Sequence, residues 1–261
     1  MRSLSIAATG MLAQQLNVEV ISNNIANINT TGYKRQRAEF QDLLYQTLRR
    51  VGAASSEAGT IIPSGVQLGL GVKPGAVYRI TEQGNIAITD NRFDLAVNGA
   101  GYFMVELPSG ETGYTRSGAF QLSPEGDLVT ADGYVVQPGV TIPDDARAVT
   151  VNASGEVWVD LAGQVQPQLV GRIELATFPN EAGLEALGNN LFVETQATGQ
   201  PNVGVPGSTG FGAIQQGALE TSNVDAVAEI TNLITAQRAY EMNSRVIQAS
   251  DEMMASVAQL R

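Results

Sequence analysis

The chain has 261 residues, enough to bury a core without disulfide bonds or metal ions. It carries 15 Lys and Arg against 26 Asp and Glu, a formal charge of −11, which disfavours nucleic acid because duplex binding needs a clustered cationic surface. Histidine and cysteine are absent, which removes the His general base, the Cys nucleophile and the usual zinc ligand sets. Composition alone therefore disfavours an enzyme.

The first residues do not predict a cleaved signal peptide. Arg2 is the one basic residue there, the apolar stretch is interrupted by Ser5 and Thr9, and its periodicity continues past any plausible cleavage point. No run approaches the roughly 18 consecutive apolar residues that a membrane-spanning helix requires. We therefore expect this segment to belong to the mature fold, without membrane insertion.

Glycine and proline divide the chain into three parts. All ten prolines lie between Pro63 and Pro206, and no glycine follows Gly217. Because these residues punctuate local structure, two helical ends around a turn-rich middle are predicted. Residues 51–220 carry eighteen acidic and six basic side chains, so the middle is also the most acidic part.

The two ends predict long amphipathic helices over residues 1–32 and 221–261. Apolar residues fall seven apart in each, and this spacing is typical of a narrow coiled-coil seam. The N-terminal rows contain Leu4, Met11, Val18, Ile25 and Ile21, and the C-terminal rows contain Leu233, Tyr240, Ile247, Met254, Val246 and Met253. The seams predict helix pairing with other subunits; the alternative is that both helices pack on the central domain of their own chain.

The polar residues of these seams bear on that choice. Gln14, Asn243 and Ser250 suit a specified register better than a dry core. We expect seams that face no partner within the monomer, and helices that order mainly on assembly.

The middle reads as β structure over residues 77–220. Short runs such as Tyr102–Val105 and Val157–Val159 are bounded by turn pairs such as Asp132-Gly133. Residues 33–76 read as an extended linker. The predicted fold is therefore mixed α and β, with long coiled-coil-like N- and C-terminal helices flanking a central, mostly antiparallel, irregular β domain.

The search for chemistry predicts no catalytic, cofactor or metal site. The loop Gly69–Gly75 resembles a dinucleotide loop, but Pro74 stands where an N–H would face phosphate. Glu125 and Asp127 form the best carboxylate pair for glycan hydrolysis, yet they lie in a predicted turn. A wall-cleaving glycosidase that uses them is the enzyme alternative.

Asparagines cluster at the end of the first helix. Asn23, Asn24 and Asn27 precede Gly32, and a helix stop accounts for one or two of them. The others predict amides that satisfy one another or the backbone of a neighbour in a packed helical interface.

These residues carry a resemblance to the bacterial flagellar rod and hook proteins, and to the distal-rod members in particular. The N-terminal match comprises Ala8–Met11, Ile21–Lys34 and Arg37–Gln46; the central match Gly99–Phe103 and Tyr114–Phe120; and the C-terminal match Thr221–Val224 and Gln237–Ser244. The match covers essentially the whole chain.

The resemblance implies a structural subunit of the distal rod of the basal body. Such subunits form a hollow helical drive shaft that transmits torque from motor to hook and surrounds the export channel. The implied partners are further copies, proximal-rod and hook subunits, the surrounding ring bushing and the type III export apparatus, with no cofactor. The implied location spans periplasm to outer membrane after export without a cleavable signal, and residues 46–71 correspond to the stretch said to stiffen the rod. A proximal-rod or hook paralogue is the alternative.

Seam and asparagine residues together give the predicted assembly interface. Its members are Leu4, Met11, Val18, Ile21, Ile25, Asn23, Asn24, Asn27, Leu233, Tyr240, Val246, Ile247, Met253 and Met254.

Overall fold

The computed structural model describes residues 2–49, 64–164 and 166–259. They form two compact units. The helical unit contains Met1–Ile25, Gln36–Tyr78 and Ala226–Arg261, and the β unit contains Ala26–Arg35 and Arg79–Asp225. The chain therefore passes between the units four times. The sequence-based boundaries at residues 32, 76 and 220 stay predictions, since this division follows contacts rather than chain order.

Two long helices belong to the helical unit: α1 (Arg2–Ala26) and α2 (Ala226–Gln259). Helix α1 ends before the predicted residue 32 because the next residues turn. The Thr30 N–H donates to the Asn27 carbonyl at 3.2 Å, and Gly32 takes a left-handed conformation with φ of 68°.

Four strands of the first third of the chain lie where an extended linker was predicted. They are β1 (Gln36–Asp42), β2 (Tyr45–Arg49), β3 (Val66–Gly69) and β4 (Val72–Arg79). Strand β1 pairs with β4, and β2 pairs antiparallel with β3. Residues 50–63 of the predicted rod-specific stretch 46–71 lie outside the described residues.

The β unit consists of short strands joined by turns. They are β5 (Ile86–Ile88), β6 (Leu95–Asn98), β7 (Tyr102–Glu106), β8 (Thr112–Thr115), β9 (Gln121–Leu122), β10 (Leu128–Val129), β11 (Ala146–Val151), β12 (Glu156–Leu161), β13 (Gln168–Arg172), β14 (Leu175–Thr177), β15 (Glu185–Gly188), β16 (Leu191–Val193), β17 (Asn202–Gly204), β18 (Ala213–Gln216) and β19 (Ala218–Glu220). A six-stranded sheet runs in the order β15-β16-β8-β7-β14-β17, and a three-stranded sheet runs β11-β12-β13. The ladders between these strands are antiparallel, which confirms the predicted fold class.

Strand β7 shows how this unit fills its interior. Because side chains alternate across a strand, Phe103 and Val105 enter the main core while Tyr102 and Met104 enter a second cluster on the other face. The ring of Phe103 meets Phe120 edge-on, with centroids 5.1 Å apart. The β unit is therefore packed on both faces of its central strand.

Candidate assembly surface

Helices α1 and α2 pair with each other in the same chain. The Ser250 hydroxyl donates to the Ser3 hydroxyl at 3.2 Å, and the Asn24 amide donates to the Glu229 carboxylate at 3.2 Å. Early residues of one helix thus meet late residues of the other, so the pair is antiparallel. Each helix therefore has a partner within its own chain, whereas the expectation that the apolar seams face none stays a prediction.

The paired stripe of α2 consists of small and polar residues. Glu229, Ala236, Asn243 and Ser250 fall seven apart, and all except the half-buried Asn243 are buried. Asn243 lies against Gly10 of α1, where an added Cβ would come 2.9 Å from its Nδ2. Close approach at a glycine therefore replaces the large apolar contacts that the predicted seam implies.

Large apolar side chains of α2 remain outside this pairing. Val227, Ile230 and Ile234 follow three-and-four spacing on one side of the helix, and Met242, Val246 and Met253 follow four-and-seven spacing further along. All six are exposed, and we name them the apolar helix surface.

Exposure and burial are distributed unevenly between the units. Of the 22 exposed large apolar residues in the described part of the chain, 17 belong to the helical unit. Of the 33 buried apolar residues found there, only five belong to it: Ala7, Ala13, Val20, Ile21 and Ala236. Exposed apolar surface of this extent marks an interaction site in a soluble protein.

The β2–β3 hairpin adds to this exposed surface. Leu44, at 82 % exposure, precedes β2, and Leu48 within it is also exposed. Val66, Leu68 and Leu70 alternate along the partner strand and are exposed on the same side. A two-stranded ribbon is at best marginally stable in water by itself, so the hairpin needs another surface.

The base of this hairpin is fixed on α1. The Val72 N–H donates to the Thr9 hydroxyl at 3.3 Å, and that hydroxyl donates to the Ile6 carbonyl at 2.7 Å. Gly71 has a φ of 121°, and a Cβ there would collide with the Thr9 oxygen. A glycine at this position therefore allows the ribbon to lie close to the helix.

Asn24 has a role inside the helical unit. Its amide exchanges two hydrogen bonds of 2.8 Å with the backbone of Gln36, one to the carbonyl and one from the N–H, in addition to the bond to Glu229. Asn27 accepts a hydrogen bond from the Thr30 hydroxyl at 3.1 Å. The Asn24 amide thus bonds to helix α2 and to the residues that follow α1, and Asn27 stabilises the turn after α1; a contact of either residue with another subunit stays a prediction.

A buried ionic cluster occupies the β unit. The Glu220 carboxylate, 1 % exposed, accepts from Lys34 Nζ at 2.6 Å and from Arg116 Nε at 2.5 Å. It also accepts from the Gly84 N–H at 2.8 Å, and Lys34 donates to the Glu82 carbonyl at 2.9 Å. The remaining Arg116 nitrogens donate to backbone carbonyls, those of Val97, Gly99 and Gly101.

The charges of this cluster set its ionisation. Burial by itself would raise the pKa of Glu220, but Arg116 and Lys34 outweigh burial and hold that pKa below its ordinary value. Burial lowers the pKa of Lys34, and the hydrogen bond to Glu220 opposes this change. The carboxylate is therefore ionised at neutral pH.

Lys34 and Arg116 lie in separate sequence motifs, and the ionic cluster that joins them was not predicted from the sequence. Lys34 is one of only two lysines in the chain, which was the available signal. Nothing in the spacing joins residues 34, 116 and 220.

The structure distributes the predicted interface residues over three classes of exposure. Buried are Ile21 and Asn24; half-buried are Leu4, Met11, Val18, Ile25, Asn27, Leu233 and Ile247; and exposed are Asn23, Tyr240, Val246, Met253 and Met254. Their role in assembly stays a prediction.

The carboxylates considered for catalysis serve a turn. Glu125 accepts from the Ser123 hydroxyl at 3.0 Å, and Asp127 accepts from the Thr141 hydroxyl at 2.6 Å. Within the described ranges there is no group of three or more acidic residues placed to hold a metal ion. Neither described helix is both long and apolar enough to cross a bilayer.

These features define a class: a protein whose first and last helices pair in one unit and whose middle forms a separate antiparallel β unit. Three family models match along the chain. Residues 4–34 match "Flagella basal body rod protein", residues 96–159 match "Flagellar hook protein FlgE/F/G D1 domain", and residues 215–260 match "Flagellar basal body rod FlgEFG protein C-terminal".

Curated relatives match from end to end. The chain is 61 % identical to the flagellar basal-body rod protein FlgG of Caulobacter vibrioides over 261 residues, all of both chains. It is 46 % identical to FlgG of Borreliella burgdorferi over 97 % of this chain and 96 % of that one, and 38 % identical to FlgG of Bacillus subtilis over 100 % and 99 %. The chain belongs to the flagellar basal-body rod protein family. It is a structural subunit of the basal-body rod, and the hook alternative is not favoured.

Proposed function

We propose that this subunit builds the distal part of the rod, where copies assemble into a hollow helical shaft. The shaft transmits torque from the motor to the hook and surrounds the export channel. Its further partners are proximal-rod and hook subunits, the surrounding ring proteins and the type III export apparatus. The observation that carries the proposal is the concentration of exposed apolar residues in the helical unit, 17 of 22.

Copies of the chain are the occupants that this surface fits. Since the paired stripe of α2 packs against α1, the apolar helix surface is left for neighbouring subunits, together with Tyr240 and Met254 of the predicted interface. Helices related by a rotation that does not close produce a filament rather than a ring. Knobs-into-holes packing between such helices buries large side chains at heptad-like spacing.

A polar stripe on α2 supports the hollow form of the shaft. Exposed Arg238, Glu241, Arg245, Gln248 and Glu252 alternate three and four apart, so they share one side of the helix. In the proposed shaft this stripe faces the water of the channel. Over residues 238–253 the helix then presents Met242, Val246 and Met253 to its neighbours and the polar stripe to the lumen.

The β2–β3 hairpin provides a second contact between copies. Its exposed Leu44, Leu48 and Leu68 would be covered by an adjacent subunit, which also gives the marginal ribbon a supporting surface. We propose that this contact, made by the stretch 46–71 and the adjoining Leu44, stiffens the shaft.

The remaining parts of the proposal concern activity and location. The subunit has no catalytic role, since the best carboxylate pair is engaged in a turn. It occupies the rod from the periplasm to the outer membrane after export without a cleavable signal, as the family resemblance implies.

A matched pair of substitutions tests the proposal. Val246→Asp places a charge within the apolar helix surface, whereas Gln248→Asp places the same charge on the exposed polar stripe proposed to face the lumen. We expect purified Val246→Asp protein to remain monomeric where wild type polymerises, as seen by sedimentation and electron microscopy. The fluorescence of Trp158 in β12 should be unchanged, because the β unit is untouched.

Gln248→Asp should polymerise like wild type. Assembly of Val246→Asp at the wild-type concentration threshold contradicts the proposed surface, and failure of Gln248→Asp alone contradicts the proposed lumen stripe.

A further inference from the structure

Three segments of the β unit that adjoin its connections to the helical unit are bonded to one another. The Gly32 N–H donates to the Glu220 carbonyl at 2.8 Å, and the Ile80 N–H donates to the Arg35 carbonyl at 2.8 Å. The three segments are residues 32–35, 80–84 and 220–223. Each lies within a few residues of a point where the chain passes between the units.

The side chain of Asn223 joins all three segments. Its Oδ1 accepts from the Arg35 N–H at 2.7 Å, and its Nδ2 donates to the carbonyls of Ile80 and Glu82, both at 2.9 Å. Asn223 lies three residues before the start of α2 at Ala226. The Asn223 amide, which belongs to the third segment, therefore satisfies backbone groups of the other two.

Glu220 repeats this arrangement with charge. Its carboxylate reaches Lys34 in the first segment and Gly84 in the second, and Arg116 anchors it to the interior of the β unit. The guanidinium of Arg116 in turn holds carbonyls on both sides of the β6–β7 turn, at Val97, Gly99 and Gly101. Lys34, Arg116, Glu220 and Asn223 together are named the crossing clamp.

Burial makes the clamp a fixed arrangement. Lys34 and Arg116 are 4 % and 5 % exposed, so water does not compete for their hydrogen bonds. If one member of such a group is removed, the other charges stay buried without a partner, which opposes rearrangement.

We propose that the crossing clamp holds residues 32–35, 80–84 and 220–223 of the β unit, which adjoin the chain connections, in a single conformation. In the assembled shaft, the clamp would pass torque from the terminal helices into the β unit through these connections. The torque role rests on the proposed function, whereas the local ordering of the segments does not. The rival explanation is that the four residues only add to the overall stability of the β unit.

Hydrogen exchange of the full-length monomer separates these explanations. Asn223→Ala removes three side-chain hydrogen bonds without leaving a buried charge, and Glu220→Gln is the second variant. Arg172→Gln is the control, because it breaks the exposed ion pair with Glu156 (2.6 Å) elsewhere in the β unit. Peptides are followed by mass spectrometry.

We expect the peptides covering residues 32–35, 80–84 and 220–223 to exchange about tenfold faster in Asn223→Ala. Peptides from β7 and β12 should keep their wild-type rates, and Arg172→Gln should change none of the three segments. Wild-type rates in those segments would overturn the proposal. So would an equal acceleration of β7 and β12, since that is the signature of a purely global effect.

Rotation under load tests the torque role. In cells whose rods contain Asn223→Ala, we expect the wild-type rotation speed in dilute medium and, at high viscosity, a speed below that of wild type at the same viscosity. Arg172→Gln cells should match wild type at every viscosity. Equal speeds at every load, or rods that do not form at all, would overturn this role. If wild-type protein failed to polymerise, the shaft would be refuted while the exchange result still decided the local role of the clamp.

Discussion

The β unit and the helical unit treat their apolar residues in opposite ways. In the β unit, large side chains such as Phe103, Leu175 and Val159 are fully buried. In the helical unit the buried positions are mostly small, such as Ala7, Ala13 and Ala236, while Ile234, Met242 and Val246 are exposed. The β unit therefore completes its core within the chain, whereas the helical unit leaves most of its large apolar side chains exposed for further partners.

Buried polar groups have partners in both units. The β unit buries full charges, and its Glu220 has two cationic partners. The helical pair buries hydroxyl and amide groups such as Ser250 and Asn24, together with the Glu229 carboxylate, which accepts from Asn24. No buried side-chain nitrogen or oxygen in the described ranges lacks a hydrogen-bond partner. The helical unit is therefore satisfied in its polar groups and unfinished only in its apolar ones.

The greatest loss of stability is expected when a buried ring is truncated, and truncation of an exposed aliphatic side chain is the comparison. Phe103→Ala should lower the free energy of unfolding of the β unit by about 3–5 kcal/mol, because it empties a fully buried site. Ile234→Ala in the monomer should change stability by less than about 0.5 kcal/mol. Urea unfolding followed by Trp158 fluorescence and by helical circular dichroism measures both. Comparable losses would contradict the contrast between the units.

Acid should weaken the β unit through Glu220. The pKa of Glu220 in the folded protein lies below its ordinary value. The stabilisation by Glu220 is therefore complete at pH values above the ordinary pKa, and it is lost as the pH falls through the pKa of the folded state. Glu220→Gln should cost about 3 kcal/mol at pH 7, since it leaves Lys34 and Arg116 buried without a carboxylate.

Chemical denaturation at pH 7 and at successively lower pH measures this dependence. The difference in stability between wild type and Glu220→Gln should shrink as the wild-type carboxylate becomes protonated. A difference that stays constant throughout this range would show that the charge of Glu220 is not what stabilises the site.

A double-mutant cycle at the helix pair gives the smallest effect. Gly10→Ala gains about 1 kcal/mol of helix propensity, but in wild type the new methyl group displaces the Asn243 amide. With Asn243→Ala already present, the gain should appear in full. Thermal unfolding of the monomer should therefore give a coupling energy of about 0.5 kcal/mol or more. Strict additivity would mean that the two helices do not meet at this point in solution.

Much of the fold could be predicted from turn-formers and short strand patterns. The absence of Gly and Pro after Gly217 predicted α2, and the run Tyr102–Val105 predicted β7. The hairpin β2–β3 was missed because its surroundings are small and weakly polar, which is the composition of a linker. The alternation of Val66, Leu68 and Leu70 was the signal to read there.

The pairing of the helices and the clamp were beyond sequence reasoning for physical reasons. The sequence indicated Asn243 and Ser250 as polar positions that suit a fixed register, but a search for large apolar residues centres the seam on Tyr240 and Met254. Close approach at Gly10 makes the stripe of small and polar residues the one that pairs. The clamp depends on tertiary contacts such as Arg116–Glu220 and Lys34–Glu220, which join residues 104 and 186 positions apart, where no local periodicity exists.

The absence of cysteine allows one direct test of whether the apolar helix surface is completed by other copies. Val246→Cys and Gln248→Cys each introduce a single thiol, whose rate of reaction with a small maleimide is measured in the monomer and in the assembled shaft. The account predicts that Val246→Cys reacts readily in the monomer and becomes strongly protected on assembly, while Gln248→Cys remains reactive. Equal reactivity of Val246→Cys in monomer and shaft would contradict it.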